Sequence, residues 1–186
     1  MRLQNLEINP PFVMNLVLIG YMGSGKTVLG KALATTLEYP FIDLDNYIEQ
    51  SESSTISDLF DSRGEIYFRK KESEAVSKVL KDTTKMVLAT GGGVVKRQIN
   101  RERLRSRGTV IHLHCPLQQL LERTAKDKKR PLLAGDDREE VLKNLMCERA
   151  PLYKEIEDYR FVSGERGAKQ LAHRIVKQLR EDGLVD

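Results

Sequence analysis

Apolar positions along this chain alternate between two rhythms. Short aliphatic and β-branched runs recur at Asn15-Leu16-Val17-Leu18-Ile19, Tyr39-Pro40-Phe41-Ile42, Met86-Val87-Leu88-Ala89-Thr90, Thr109 to His114 and Tyr159 to Val162. Runs of that length, bounded by glycine, proline or aspartate, predict buried strands. Between them the spacing turns helical. Val28 to Leu37 places Leu29, Ala32, Leu33, Ala34 and Leu37 on one stripe, and Gly64 to Leu80, Arg97 to Ser106 and Ala168 to about Glu181 follow the same rule. Pro116 suits the opening of a helix running to about Lys126. Arg138 to Lys154 reads as a further helix, whose last turn Pro151 is expected to bend or break. Residues 46–62 read as short helical pieces. Strands that alternate with helices through short connections predict a mostly parallel sheet covered on both faces.

Composition narrows the setting. A chain of 186 residues, 40% hydrophobic and 31% charged, suits one globular domain. We take residues 15–186 as that domain, and Met1 to Met14 as a flexible extension because Pro10-Pro11 interrupts regular structure before the first strand. No apolar run approaches about 18 residues, so no membrane span is expected. The amino-terminal segment lacks the apolar stretch of a secretory signal, so a cytoplasmic protein is expected. Cys115 and Cys147, the only cysteines, fit reduced thiols and no zinc set. The net charge of +4 raises the question of nucleic acid. The excess is local, however: Lys96 to Arg107 reads as a solvated helix face, and Arg123 to Arg130 falls where a phosphate-facing flap would lie.

The candidate chemistry starts at Gly20-Tyr21-Met22-Gly23-Ser24-Gly25-Lys26-Thr27, which fits the phosphate-loop pattern G-x-x-x-x-G-K-[ST] between a predicted strand and a predicted helix. Glycines let successive N–H groups turn into one concavity at the positive end of the following helix, a setting that favours phosphate. Lys26 is placed to reach the β- and γ-phosphates, and the Thr27 hydroxyl to bind Mg²⁺. The fold class expected is therefore the P-loop NTPase type, a three-layer α/β/α sandwich with a five-stranded sheet.

Other groups decide what is done with the nucleotide. Asp43 and Asp45 stand where a parallel strand meets its next loop, the ligand-binding edge of an open α/β sheet. Gly91, Gly92 and Gly93 end another strand, where three glycines point to a close approach of backbone to ligand. Asp127 to Asp137 mixes lysine, arginine, proline and glycine, and reads as a mobile lid with Arg130 as its phosphate-reaching charge. Arg69 and Arg149 are planar forks suited to gripping a carboxylate, although surface ion pairing is the ordinary alternative. Asp45 is suited to hold or deprotonate a hydroxyl, and capping of the next helix is the alternative for both aspartates. Together these residues point to a small-molecule kinase whose acceptor carries hydroxyls and an anionic group.

The ordered series GYMGSGKT, FIDLD, GEIYFR, ATGGG, RPLL and ERAPLY resembles the shikimate kinase family over about residues 15 to 182. The resemblance implies transfer of the ATP γ-phosphoryl group to the 3-hydroxyl of shikimate, with Mg²⁺ as cofactor and ATP as co-substrate. It implies an ATP site of Gly23, Ser24, Gly25, Lys26, Thr27 and Val28, with Arg123 against the adenine, Arg130 on the phosphates and Arg166 in the adenine-side loop 163–167. That loop lacks the proline of some relatives. The implied metal residues are Thr27 and, in the outer shell, Asp43. The implied shikimate site is Asp45, Arg69, Gly91, Gly92, Gly93 and Arg149, with a shikimate-binding region of about 45–80. Lys26, Asp45 and Arg130 are the implied catalytic groups. Shikimate and ATP are then the expected partners of a monomer, with neither nucleic acid nor membrane. Gluconate kinases, nucleoside monophosphate kinases and a non-catalytic nucleotide-binding module remain as rival readings.

Overall fold

Side chains of β1 (Asn15–Ile19) alternate between two cores: Leu16 and Leu18 enter one, Val17 and Ile19 the other, none more than 1% exposed. Successive residues of a strand point to opposite faces, so a strand apolar at both parities must be covered on both sides. The computed structural model that displays this describes residues 15–125, 137–164 and 167–186. The expected extension 1–14 and all but the last residue of the expected lid lie outside the described residues.

The sheet is completed by β2 (Phe41–Asp43), β3 (Val87–Ala89), β4 (Gly108–His114) and β5 (Tyr159–Val162). Its order is β2-β3-β1-β4-β5 and every neighbouring pair is parallel, with Leu18 opposite Ala89 on one side and Ile111 on the other. One face is covered by α1 (Lys26–Leu37) and α7 (Gly167–Glu181), which bring Leu29, Leu33, Ile175 and Leu179 onto Leu16, Leu18 and Ile111. The other face carries α2 (Leu44–Glu52), α3 (Ile56–Asp82), α4 (Gln98–Arg107), α5 (Leu117–Thr124) and α6 (Arg138–Ile156), through Ile48, Phe68, Leu104, Leu120 and Tyr153. This is the expected three-layer sandwich. The chain leaves β1 toward β2 and β3 and later enters β4 on the opposite side, so the crevice at the carboxyl end of β1 is where ligands bind in such sheets.

Helix boundaries agree with the sequence expectation at Gly64 and depart from it further along the chain. The helix expected from Gly64 is present: Gly64, at φ 77° and ψ 169°, is a kink that divides α3 into two limbs, the second running to Asp82. Leu59 and Phe68, on the two limbs, are buried in the same core, which draws both halves together. Pro151 does not break α6, which runs on to Ile156. A proline forfeits one helical hydrogen bond, and burial of Tyr153 at 0% and Ile156 at 2% exposed outweighs that loss. The helix opened by Pro116 ends at Thr124, and Val94–Lys96 forms a separate 3₁₀ turn ahead of α4. Among the described residues no helix is long and apolar enough to cross a membrane.

Candidate active site

The phosphate loop closes the carboxyl end of β1 and opens α1. Gly25 is the cap of α1 at φ 96°, a left-handed conformation in which a side chain would be strained. The Lys26 ammonium donates to the carbonyls of Gly20 at 2.7 Å and Tyr21 at 2.8 Å, so the loop holds its own cation where phosphate is expected. Thr27 donates through Oγ1 to Asp43 Oδ2 at 2.7 Å. The other oxygen of Asp43 accepts from the backbone N–H groups of Asp45 and Asn46, capping α2. Capping and the link to Thr27 are thus two functions of one carboxylate. A hydroxyl backed by a carboxylate oxygen is a hard-oxygen donor set that suits Mg²⁺, which takes few protein ligands and shares phosphate oxygens. Among the described residues no cluster of three or more His, Cys, Asp or Glu offers a metal cage.

Arg123 sits on this loop and, although exposed, is hydrogen-bonded to it. Its Nη1 donates to Ser24 O at 3.2 Å and Ser163 Oγ at 3.2 Å, and Nη2 to Gln119 Oε1 at 3.2 Å. It forms one wall of a cleft of about 810 Å³ that includes Ser24, Val28, Phe161, Gly164 and Arg174. Val28, 64% exposed, is an apolar floor left open at the first turn of α1. A cleft of that size continuous with a phosphate loop has room for a nucleoside. Gly164 belongs to the expected adenine-side loop 163–167, whereas Phe161 and Arg174 carry no sequence signal for this role, because their side of the cleft forms only when β5 and α7 meet α1.

Across the loop, the glycine triplet packs more tightly than any turn needs. A β-carbon on Gly91 would lie 2.6 Å from Asp45 Oδ1, one on Gly92 would lie 3.0 Å from Met22 N, and one on Gly93 would overlap the guanidinium of Arg69. The glycines are therefore required first by the protein's own groups: they let Asp45, the phosphate loop and Arg69 converge at the end of β3. Neither arginine is on the surface. Arg69 is 9% exposed and Arg149 1%. Arg69 Nη1 donates to both oxygens of Glu72 at 3.0 Å, and its Nε to Glu65 at 3.1 Å. Burial pulls the Arg69 pKa down, but the two carboxylates outweigh it and hold the guanidinium charged. Arg149 Nη1 donates to Gly92 O at 3.1 Å, and its buried Nε has no hydrogen-bond partner.

Glu72 belongs to this group although the sequence pattern does not single it out. It is 0% exposed, and burial raises its pKa from 4.5 to about 7, with the Arg69 charge opposing and Asp45 adding to the rise. Its only sequence signal is the i,i+3 spacing from Arg69, which surface pairs share. Arg130 and Arg166 lie outside the described residues. The described candidates, Gly23 to Val28, Asp43, Asp45, Arg69, Gly91 to Gly93, Arg123 and Arg149, all fall at the carboxyl edge of the sheet. Cys115, buried, and Cys147, exposed, are free thiols.

Residues 22–180 match the family model described as shikimate kinase. The shikimate kinase of Vibrio parahaemolyticus serotype O3:K6 is 47% identical over 167 residues, 90% of this chain and 96% of that protein. That of Francisella tularensis subsp. holarctica is 43% identical over 171 residues, 92% and 97% of the two chains. Among solved structures, the shikimate kinase from Acinetobacter baumannii in complex with shikimate aligns with a TM-score of 0.90 at 37% identity, over 94% of this chain and 97% of that one. The enzyme from Bacteroides thetaiotaomicron aligns at 0.81 and 33%, over 90% and 98%.

Proposed function

The chain belongs to the shikimate kinase family, and we infer that it transfers the γ-phosphoryl group of ATP to the 3-hydroxyl of shikimate, giving shikimate 3-phosphate and ADP. The observation that carries this reading is the pair of buried guanidinium groups, Arg69 and Arg149, either side of the Gly91–Gly93 turn that packs on the phosphate loop. A buried cation that keeps a free donor edge is costly unless an anion completes it. Arg149 Nε is such an edge, and a carboxylate on the acceptor is the complement.

Roles follow from position. Backbone N–H groups of Gly23 to Thr27, at the start of α1, hold the phosphates, and Lys26 exchanges its loop carbonyls for the γ-phosphate. With Arg69 and Arg149 fixing the carboxylate, the acceptor's hydroxyls face Asp45, which lines the same turn and accepts or positions the proton of the attacking group. Phosphoryl transfer needs little covalent help, so holding the hydroxyl in line and balancing charge make up most of the work. Mg²⁺ would be held by Thr27 with Asp43 behind it, and when bound it neutralises charge on the β- and γ-oxygens. Val28 and Arg123 line the adenine side of the cleft. Arg130 and Arg166 are assigned to the phosphates and the adenine-side loop, and residues 126–137 to a lid that closes over the nucleotide. The reading includes a cytoplasmic monomer that takes two small-molecule substrates.

The test is ADP release measured with shikimate, gluconate and a panel of nucleoside monophosphates. Turnover with shikimate alone supports the reading. Turnover with gluconate or a nucleoside monophosphate in its place overturns it.

A further inference from the structure

Arg149 and Tyr153 stand one helical turn apart on α6, and both end on the same atom. Tyr153 Oη donates to Gly92 O at 2.5 Å, and Arg149 Nη1 to the same oxygen at 3.1 Å. Side chains at i and i+4 share a helix face, and a carbonyl oxygen has two lone pairs, so one acceptor serves both donors. The phenol is 0% exposed and cannot swing away. Its ring stacks on His112 at 4.8 Å and meets Tyr21 edge-on at 4.9 Å, and its carbonyl accepts from Glu157 N at 3.0 Å. Burial raises its pKa well above the usual value for tyrosine, so the hydroxyl stays protonated as a donor.

We propose that Tyr153 is a positioning residue for acceptor binding: its hydroxyl pins the Gly92 carbonyl, and through it fixes both the glycine turn and the Arg149 guanidinium that receives the acceptor's carboxylate. The proposal rests on the carboxylate role inferred for Arg149 under Proposed function. Two donors share this one oxygen. Gly92 O accepts from Arg149, and the guanidinium lies against the Tyr153 hydroxyl as well. While Tyr153 supplies the short bond, the carbonyl is satisfied and the turn stays seated, with its middle residue 3.0 Å, at the β-carbon position, from Met22 N of the phosphate loop. Without the hydroxyl, Arg149 becomes the sole donor to a buried carbonyl, and the guanidinium is drawn toward it and away from the ligand.

The experiment compares kcat/KM for shikimate and for its methyl ester in the wild type, Tyr153→Phe, Arg149→Ala and a control, Tyr159→Phe. Phe keeps the stacked ring and removes only the hydroxyl. Tyr159→Phe removes an equally short bond, 2.5 Å to Asp182, remote from the glycine turn. The acid-to-ester preference is a ratio, so it is independent of how much of each variant folds. Tyr153→Phe is expected to raise the KM for shikimate about tenfold, the scale of one buried hydrogen bond. It should lower the acid-to-ester preference by a similar factor and leave the KM for ATP unchanged, and the control should keep the wild-type preference. A wild-type preference in Tyr153→Phe beside a collapsed one in Arg149→Ala overturns the proposal alone, whatever the melting temperatures. A wild-type preference in Arg149→Ala overturns the carboxylate role, and the proposal with it.

Discussion

The hydroxyl of Thr27, at the start of α1, donates to the carboxylate of Asp43, at the end of β2, across 2.7 Å. This bond joins the phosphate loop to the strand that leads into Asp45, two residues on, the carboxylate we assign to the acceptor side. On the roles proposed here, it also separates the tasks of the two aspartates. In Asp43→Asn the remaining carbonyl oxygen can still accept from Asp45 N and Asn46 N, so the cap of α2 survives while the acceptor for Thr27 is lost. We expect Asp43→Asn to raise the Mg²⁺ concentration for half-maximal turnover about tenfold, the low end for a group that orients a metal ligand. Asp45→Asn should lower kcat by roughly 10²-fold with no rescue by metal. A Mg²⁺ titration of both variants checks this, and rescue of Asp45→Asn alone would reverse the two assignments.

Lys26 is pre-held by the carbonyls of Gly20 and Tyr21, a geometry that places its charge before nucleotide arrives. Lys26→Met should lower turnover by roughly 10²-fold or more, since the charge matters most as negative charge shifts in the transition state. Coupled ADP release with circular dichroism as a folding control measures it. Native dichroism with near-normal turnover would remove Lys26 from the role of γ-phosphate partner.

Glu72 sets a pH dependence of stability in the free protein. Burial raises its pKa from 4.5 to about 7, so the folded chain binds this proton more tightly than the unfolded chain does. The associated stability is fully present below about pH 4.5 and is lost as the pH climbs through about 7, a span on the order of 3 kcal/mol for this one group. Urea unfolding between pH 5 and 8 should accordingly show a falling wild-type stability that flattens in Glu72→Gln. Parallel curves for the two proteins would contradict the assignment.

The layers are legible in the sequence because β1 is apolar at both parities and the phosphate loop requires a strand before it and a helix after it. The same logic reaches β5 and α7, whose alternating and helical patterns survive in the structure. Strand order is not legible, since it is decided by which strands share cores. Nor is Glu72, because a carboxylate three residues from an arginine looks the same on a surface helix and in a buried one. The glycine triplet does mark a close approach, but ligand is an incomplete reason for it: the groups it admits include Asp45 and Arg69 from distant elements. Pro151 misleads in the opposite direction, because its local penalty is outweighed by the burial of Tyr153 and Ile156.

The functional reading depends most on Arg69 and Arg149 receiving a carboxylate from the acceptor. Replacing either by Ala should weaken acceptor binding by about 2–5 kcal/mol, the cost of leaving a desolvated charge without its partner. ATP binding without acceptor should be unaffected. Calorimetric titration of shikimate into the wild type, Arg69→Ala and Arg149→Ala, each in the presence of ADP and Mg²⁺, reads this out without any catalytic step. The expected result is a heat of binding that saturates for the wild type and an affinity at least about 30-fold weaker in each variant. Equal affinity for shikimate in all three proteins would contradict the carboxylate grip.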